Sequence, residues 1–197
     1  MTKSGGSRRK PAGSRDLSSM SSLMALLPGK LVKTVARPPV ILIYLPPHTA
    51  PRTEIVLARD AGFTHVIYRQ QFDLPESAGL LRVPFLDDAG LGDFIPDELY
   101  YWRFTLIYAI RGRGEPEAIA GSIQPVTIAP EMQAQLHQAS LQGRVELYQS
   151  LKLPYDAGVE LDSLRRANPD DAAVQELWST WVTTQGWADL VTVPTIG

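Results

Sequence analysis

The chain contains no cysteine. Disulfides, thiol catalysis and cysteine-ligated metals are therefore excluded, although the compartment is not fixed by this. Histidine is almost as scarce. His48 lies in a proline-rich stretch, His65 in a strand-like one and His137 in a helix-like one, and none has a second histidine at metal-ligand spacing. No metal site is expected. There is no Walker loop or dinucleotide fingerprint, and no nucleophile-elbow motif to make a triad around His65. The glycines of Gly112–Pro116 (GRGEP) fall in a hairpin turn rather than between a strand and a helix. No run approaches the roughly 20 apolar residues of a membrane-spanning helix. These absences lead us to expect no catalytic residue, no cofactor and no enzyme.

What is present is a 197-residue chain with 44% hydrophobic and 20% charged residues, proportions of a soluble globular protein of one domain, or one domain with an appendage. The net charge of −2 conceals an asymmetry: residues 1–38 hold eight Lys or Arg against one Asp, and the remainder holds eleven basic against twenty acidic residues. A basic arm on an acidic body is either a solvated tail or a contact for nucleic acid or anionic lipid. Residues 1–19 are mainly Gly, Ser, Pro and basic residues with almost nothing to bury, so residues 1–22 are expected to be a disordered arm. Arg8 and Arg9 invite an export reading, but the apolar stretch that follows is short and serine-rich, and no signal peptide is evident.

The longest strand-forming run is Leu99–Ile110 (LYYWRFTLIYAI). Alternation places Tyr100, Trp102, Phe104, Leu106 and Tyr108 on one face as a core wall, with Trp102 as an anchor, and Tyr101, Arg103, Thr105, Ile107 and Ala109 on a mixed face. A turn at Arg111–Gly114 and a return strand over Ile119–Ile128 complete a long hairpin, weakened or bulged at Gly121 and Pro125. Further strands are expected at Val40–Pro46, Thr53–Arg59, Phe63–Phe72 and Leu80–Phe85, the second and third joined by a tight turn at Asp60–Gly62. Leu23–Leu27 reads as one short helical turn. After Pro130 the apolar period changes to 3.6. Met132, Leu136 and Ala139 line one helix, and Val145, Tyr148 and Leu151 a second that Pro154 stops. Ala157, Leu161 and Leu164 line a third, and Val174, Leu177, Trp178, Trp181 and Val182 a fourth that ends at Gly186. The Asn168–Asp171 junction is similar to one tetratricopeptide unit, but no period repeats. The fold expected is mainly β plus α: an antiparallel β-sandwich of immunoglobulin-like architecture over residues 23–129, with a C-terminal helical region, residues 130–197, packed on it.

Few side chains stand out for function. Trp178, Trp181, Trp187 and Tyr155 are candidate contacts for a ligand or partner, against a plain packing role. Asp87, Asp88, Asp93, Asp97 and Glu98 form an acidic loop without the alternating ligands of an EF-hand. Paired carboxylates there would serve a carbohydrate-active enzyme or a carbohydrate-binding protein. Arg165 and Arg166 close the third helix, where cations complement its dipole.

The order and spacing of several short stretches resemble a bacterial, mainly cyanobacterial, family known as domain of unknown function 928. They are Leu23–Pro28, Ile43–Pro46, Tyr100–Phe104, Gly121–Gln124, Leu147–Tyr148, Pro154–Ala157, Leu161–Arg165, Asn168–Asp170, Trp178 and Gly186–Leu190. The resemblance implies export to the periplasm or cell envelope. It also implies two cysteines forming a disulfide, near whose positions Asp16 and Tyr108 stand here; the family's tryptophan in the Gly121 strand is replaced by Ser122. It assigns no catalytic residues. The function expected is a non-enzymatic, envelope-associated interaction or structural module whose partner is another protein rather than nucleic acid. The alternatives are carbohydrate chemistry at residues 87–98 and nucleic-acid or lipid binding by the basic arm.

Overall fold

The computed structural model describes residues 22–29, 31–85, 94–108 and 117–197. The basic arm beyond Ser22, the hairpin turn and the acidic residues Asp87, Asp88 and Asp93 lie outside the described residues. Among the described residues, nine strands and four helices follow one another. The strands are β1 (Met24–Ala25), β2 (Leu31–Thr34), β3 (Val40–Leu45), β4 (Arg52–Ala58), β5 (Val66–Asp73), β6 (Gly79–Pro84), β7 (Tyr100–Ile107), β8 (Ala118–Pro125) and, at the end of the chain, β9 (Thr195–Ile196). Helices α1 (Pro130–Gln138), α2 (Leu141–Ser150), α3 (Pro154–Ala167) and α4 (Ala172–Thr184) come between β8 and β9, with a short 3-10 turn at Ala188–Leu190. One sheet has the order β1-β3-β6-β9 and the other β2-β8-β7-β4-β5.

Strand β7 sits near the middle of the second sheet, paired with β4 and β8. Its burial alternates as the sequence requires: Tyr100, Trp102, Phe104 and Leu106 are buried and the intervening residues half-buried. Tyr108 falls past the strand end and is exposed, its hydroxyl donating to Glu117. Both expected hairpins form, β4 with β5 and β7 with β8. The third expected strand starts later than Phe63. Phe63 takes a positive φ in the turn, and the Asp60 carboxylate accepts the N–H groups of Thr64 and His65 there. Gly121 neither bulges nor ends β8; a Cβ on it would press into the Trp102 ring and Leu27, so glycine permits close packing inside a paired strand.

Other expectations need correction. The sheets are not wholly antiparallel, because β2 runs parallel to β8 and β9 parallel to β6. Neither strand arrives through a tight turn: β2 crosses over from the other sheet and β9 comes from the helical layer, so no hairpin sets their direction. The segment expected to form a helical turn is β1, with Met24 opposite Tyr44 and Ala25 opposite Ile43. Five apolar residues are too few to nucleate a stable helix, whereas β3 offers a ready ladder and the core takes Leu23 and Leu26. Pro154 does not stop α2, which ends at Ser150; it opens α3 in the first turn, where a missing N–H costs nothing.

One hydrophobic core joins Ile41 and Leu81 of the first sheet, Ile55 and Trp102 of the second, and Val145, Leu161 and Trp178 of the helices. Helix α3 packs on α2, on α4 and on β2.

Candidate functional site

Helix α3 is buried on more of its surface than an amphipathic stripe predicts, and several of its buried residues are polar. Tyr155 is fully inside. Its hydroxyl donates to the Val40 carbonyl at 2.8 Å and accepts the Leu42 N–H at 3.0 Å. It thereby pairs the edge of β3 alongside the two-residue β1, a completion that buried backbone requires. Burial holds this phenol far above its ordinary pKa.

One residue on, Asp156 is 4% exposed. Its Oδ1 accepts the Thr34 hydroxyl at 2.7 Å and the Val35 N–H at 3.2 Å, while its Oδ2 is buried with no partner among the described residues. Burial pushes its pKa up to about 6, and the bonds from Thr34 and Val35 pull the other way. Two turns along, Asp162 is wholly buried between two guanidinium groups. Arg82 of β6 approaches at 3.3 Å and Arg166, four residues on in the same helix, at 3.0 Å. Arg82 also donates to the Val159 carbonyl, and Arg166 donates to the carbonyls of Leu80, Ile196 and Gly197. Arg165 stacks over Trp178 at 4.4 Å and donates to the Val193 carbonyl. Desolvation lowers its pKa, opposed by the charge of Asp162. Together these contacts tie α3 to β2, β3, β6 and β9.

Beside Asp156 opens a cleft of about 520 Å³, within the size range of small-molecule sites. Gln133 and His137 of α1, Arg144 and Tyr148 of α2, Glu160 of α3 and Val35 after β2 are among its walls. Arg144 donates through Nε to Glu160 and through Nη1 to the Ala139 carbonyl at 2.8 Å. Tyr148 has its pKa pushed up to about 12, first by burial and then by the charges of Glu160 and Asp156. Its hydroxyl keeps its proton at neutral pH and has no hydrogen-bond partner among the described residues. The cleft therefore presents a guanidinium and a phenol as donors and a carboxylate as acceptor, over an apolar floor that includes Leu136 and Ile128.

The residues singled out from the sequence lie elsewhere. Trp178 and Trp181 are buried with rings 5.3 Å apart, and Trp181 donates through Nε1 to the Pro154 carbonyl. Trp187, half-buried, meets Trp181 edge-on at 5.6 Å. Tyr155, Trp178 and Trp181 thus offer no surface to a ligand or partner, a correction of the contact role considered for them. Their apolar area is used up between α3, α4 and the sheets. Of the acidic loop, Asp97 and Glu98 are described, and Glu98 pairs on the surface with Arg59 at 3.5 Å. His48 bonds the Pro75 carbonyl, His65 sits in the β4–β5 turn and His137 in the cleft. Among the described residues no three His, Asp or Glu side chains converge as a metal site would need. The cleft residues were missed because Tyr148 reads as part of an apolar helix face. The Asp162–Arg166 spacing of four was the one local signal of the buried network.

A family model described as Domain of Unknown Function (DUF928) matches residues 3–195. The chain belongs to this family. Nearly the whole DUF928 chain is matched, so helix α3, the cleft and both sheets up to Thr195 lie within the matched residues. No curated protein matches it.

Proposed function

We propose that this protein is a non-enzymatic binding module of the cell envelope, with an immunoglobulin-like sandwich as scaffold and the α1–α2–α3 cleft as its contact site for another protein. The observation that carries the reading is how little α1 and α2 bury. Each has a single buried side chain, Leu136 and Val145 respectively, so α1 stands outside the shared core and α2 reaches it on one face only, through Val145 with Leu141 and Tyr148 beside it. Both instead contribute polar side chains to one concavity. The α3 network supports the reading by holding the third wall rigidly against the sheets, as a preformed site requires. The sandwich architecture is supported by side chains of both sheets sharing one core. The envelope setting rests on the export that the family resemblance implies.

The test uses the full chain as bait against envelope and soluble fractions of the native host. Two variants and a control substitution accompany it. Gln133→Trp fills the cleft from an exposed position without breaking an ion pair, and Tyr148→Phe removes the free donor. The expected result is one stoichiometric partner from the envelope fraction, lost with Gln133→Trp and weakened with Tyr148→Phe, while Glu176→Gln on exposed α4 surface changes nothing. Equal capture by all four chains, or no partner at all, overturns the reading.

A further inference from the structure

The two sheets have four edges, and they are not equally protected. Strands β1 and β9 are two residues long. Strand β2 is held beside α3 through the bond between Thr34 and Asp156. Strand β5 is different: it has eight residues, VIYRQQFD, with neither proline nor lysine, and it closes the second sheet. Among the described residues no strand pairs with its outer side. Natural edges are usually blunted by brevity, proline, a bulge or charged side chains, lysine above all; the charges on β5, Arg69 and Asp73, are of opposite sign. The register irregularity here, at Leu57/Ala58, faces only the start of β5 and leaves Arg69–Asp73 regular.

We propose that this edge pairs with β5 of a second copy, antiparallel about a two-fold axis at Gln71, continuing the five-stranded sheet through the dimer. The charge pattern is self-complementary in that register. Arg69, Gln71 and Asp73 share the face away from the core, so Arg69 comes opposite Asp73 of the second copy, and the reverse, with the two Gln71 side chains between them. Moving the axis one residue either way loses both pairs. Arg69 and Asp73 already bond Glu54 and Arg52 of β4, but their side chains are 54% and 88% exposed, leaving both free to take a second partner. The new pairs would extend the alternating network across the axis.

The core-facing side of the same strand supplies an apolar surface. Phe72 lies against Phe104 but is only half-buried. It borders a groove of about 350 Å³ between β5 and β6, whose walls include Leu74, Leu81, Val83 and Pro84. In the proposed register Phe72 of the second copy stands opposite Gln70, at the groove's mouth. Each copy thus covers the groove of the other, as an isologous interface requires.

The test is sedimentation of the full chain over a wide concentration range, with folding of every variant checked by circular dichroism. The wild type is expected to pass from monomer to dimer. Arg69→Asp and Asp73→Arg each place like charges opposite one another twice, and each alone should weaken dimerisation roughly tenfold or more. An equimolar mixture of the two single variants restores both ion pairs and should dimerise as well as the wild type, which loss of folding would not allow. A wild type that stays monomeric throughout, a dimer indifferent to both single variants, or a mixture no better than its parts overturns the proposal. The first outcome would leave the groove to a different occupant.

Discussion

Asp156 makes stability depend on pH in an unusual direction. In the unfolded chain its carboxyl titrates near 3.8; in the folded protein burial raises this to about 6. Below the lower value it is protonated in both states and costs nothing. As pH rises from about 4 to about 6 the unfolded chain loses the proton while the folded one retains it, so this group's contribution falls and then levels off. The gap corresponds to about 3 kcal/mol, and at 4% exposure water screens little of it. Replacement by Asn isolates the effect. Asn keeps the acceptor for Thr34 and Val35 and removes the charge, at a constant cost for placing an amide where Oδ2 has no partner. Urea unfolding of wild type and Asp156→Asn at intervals from pH 3.5 to 8 should show the variant gaining on the wild type by about 3 kcal/mol, nearly all of it below pH 6.5. A difference that stays flat, or a variant that loses ground as pH rises, would refute the reasoning. It would mean that the first-turn N–H groups of α3 stabilise the anion more than burial penalises it.

Other substitutions test the remaining parts of the α3 layer. Tyr155→Phe strands the buried Leu42 N–H and Val40 carbonyl, and should cost about 1–3 kcal/mol in denaturant unfolding. Asp162→Ala leaves Arg82 and Arg166 facing each other without their carboxylate and should cost about 3–5 kcal/mol, the loss expected when a buried pair is broken from one side. Gly158→Ala drives a methyl group into the Trp181 ring. It should cost about 1–3 kcal/mol and alter the near-ultraviolet dichroism of the stacked tryptophans, whereas Gly186→Ala, with open space around it but a positive φ, should leave that signal unchanged.

The local elements were largely legible in the sequence. Alternation from Tyr100 to Leu106 and the 3.6 period in Val174–Val182 report which side chains must leave water, and both hairpins and all four helices follow from such patterns and their turns. The site was not legible. Tyr148 counts as apolar in a helical pattern, and only the placement of Glu160 and Arg144 around it makes a polar cleft. Asp156 and Asp162 carry no local sign of burial, because a single chain does not announce which polar residues will be carried inside. The sequence left the tryptophans of α4 open between contact and packing, and in the structure Trp178 and Trp181 are buried, Trp178 beside Arg165 and Trp181 beside Gly158 of α3. The sequence by itself determined where the six strands β3–β8 and the four helices run and which of their faces are apolar, since those depend on neighbours a few residues away; the short β1, β2 and β9 were not placed by it. Tertiary structure alone decided the parallel pairings of β2 and β9, the joining of Asp162 to Arg82 across 80 residues, and the place of β5 at the end of its sheet, where no described strand pairs with its outer side. These depend on which distant backbone lies alongside, a choice made by the packing of the whole core.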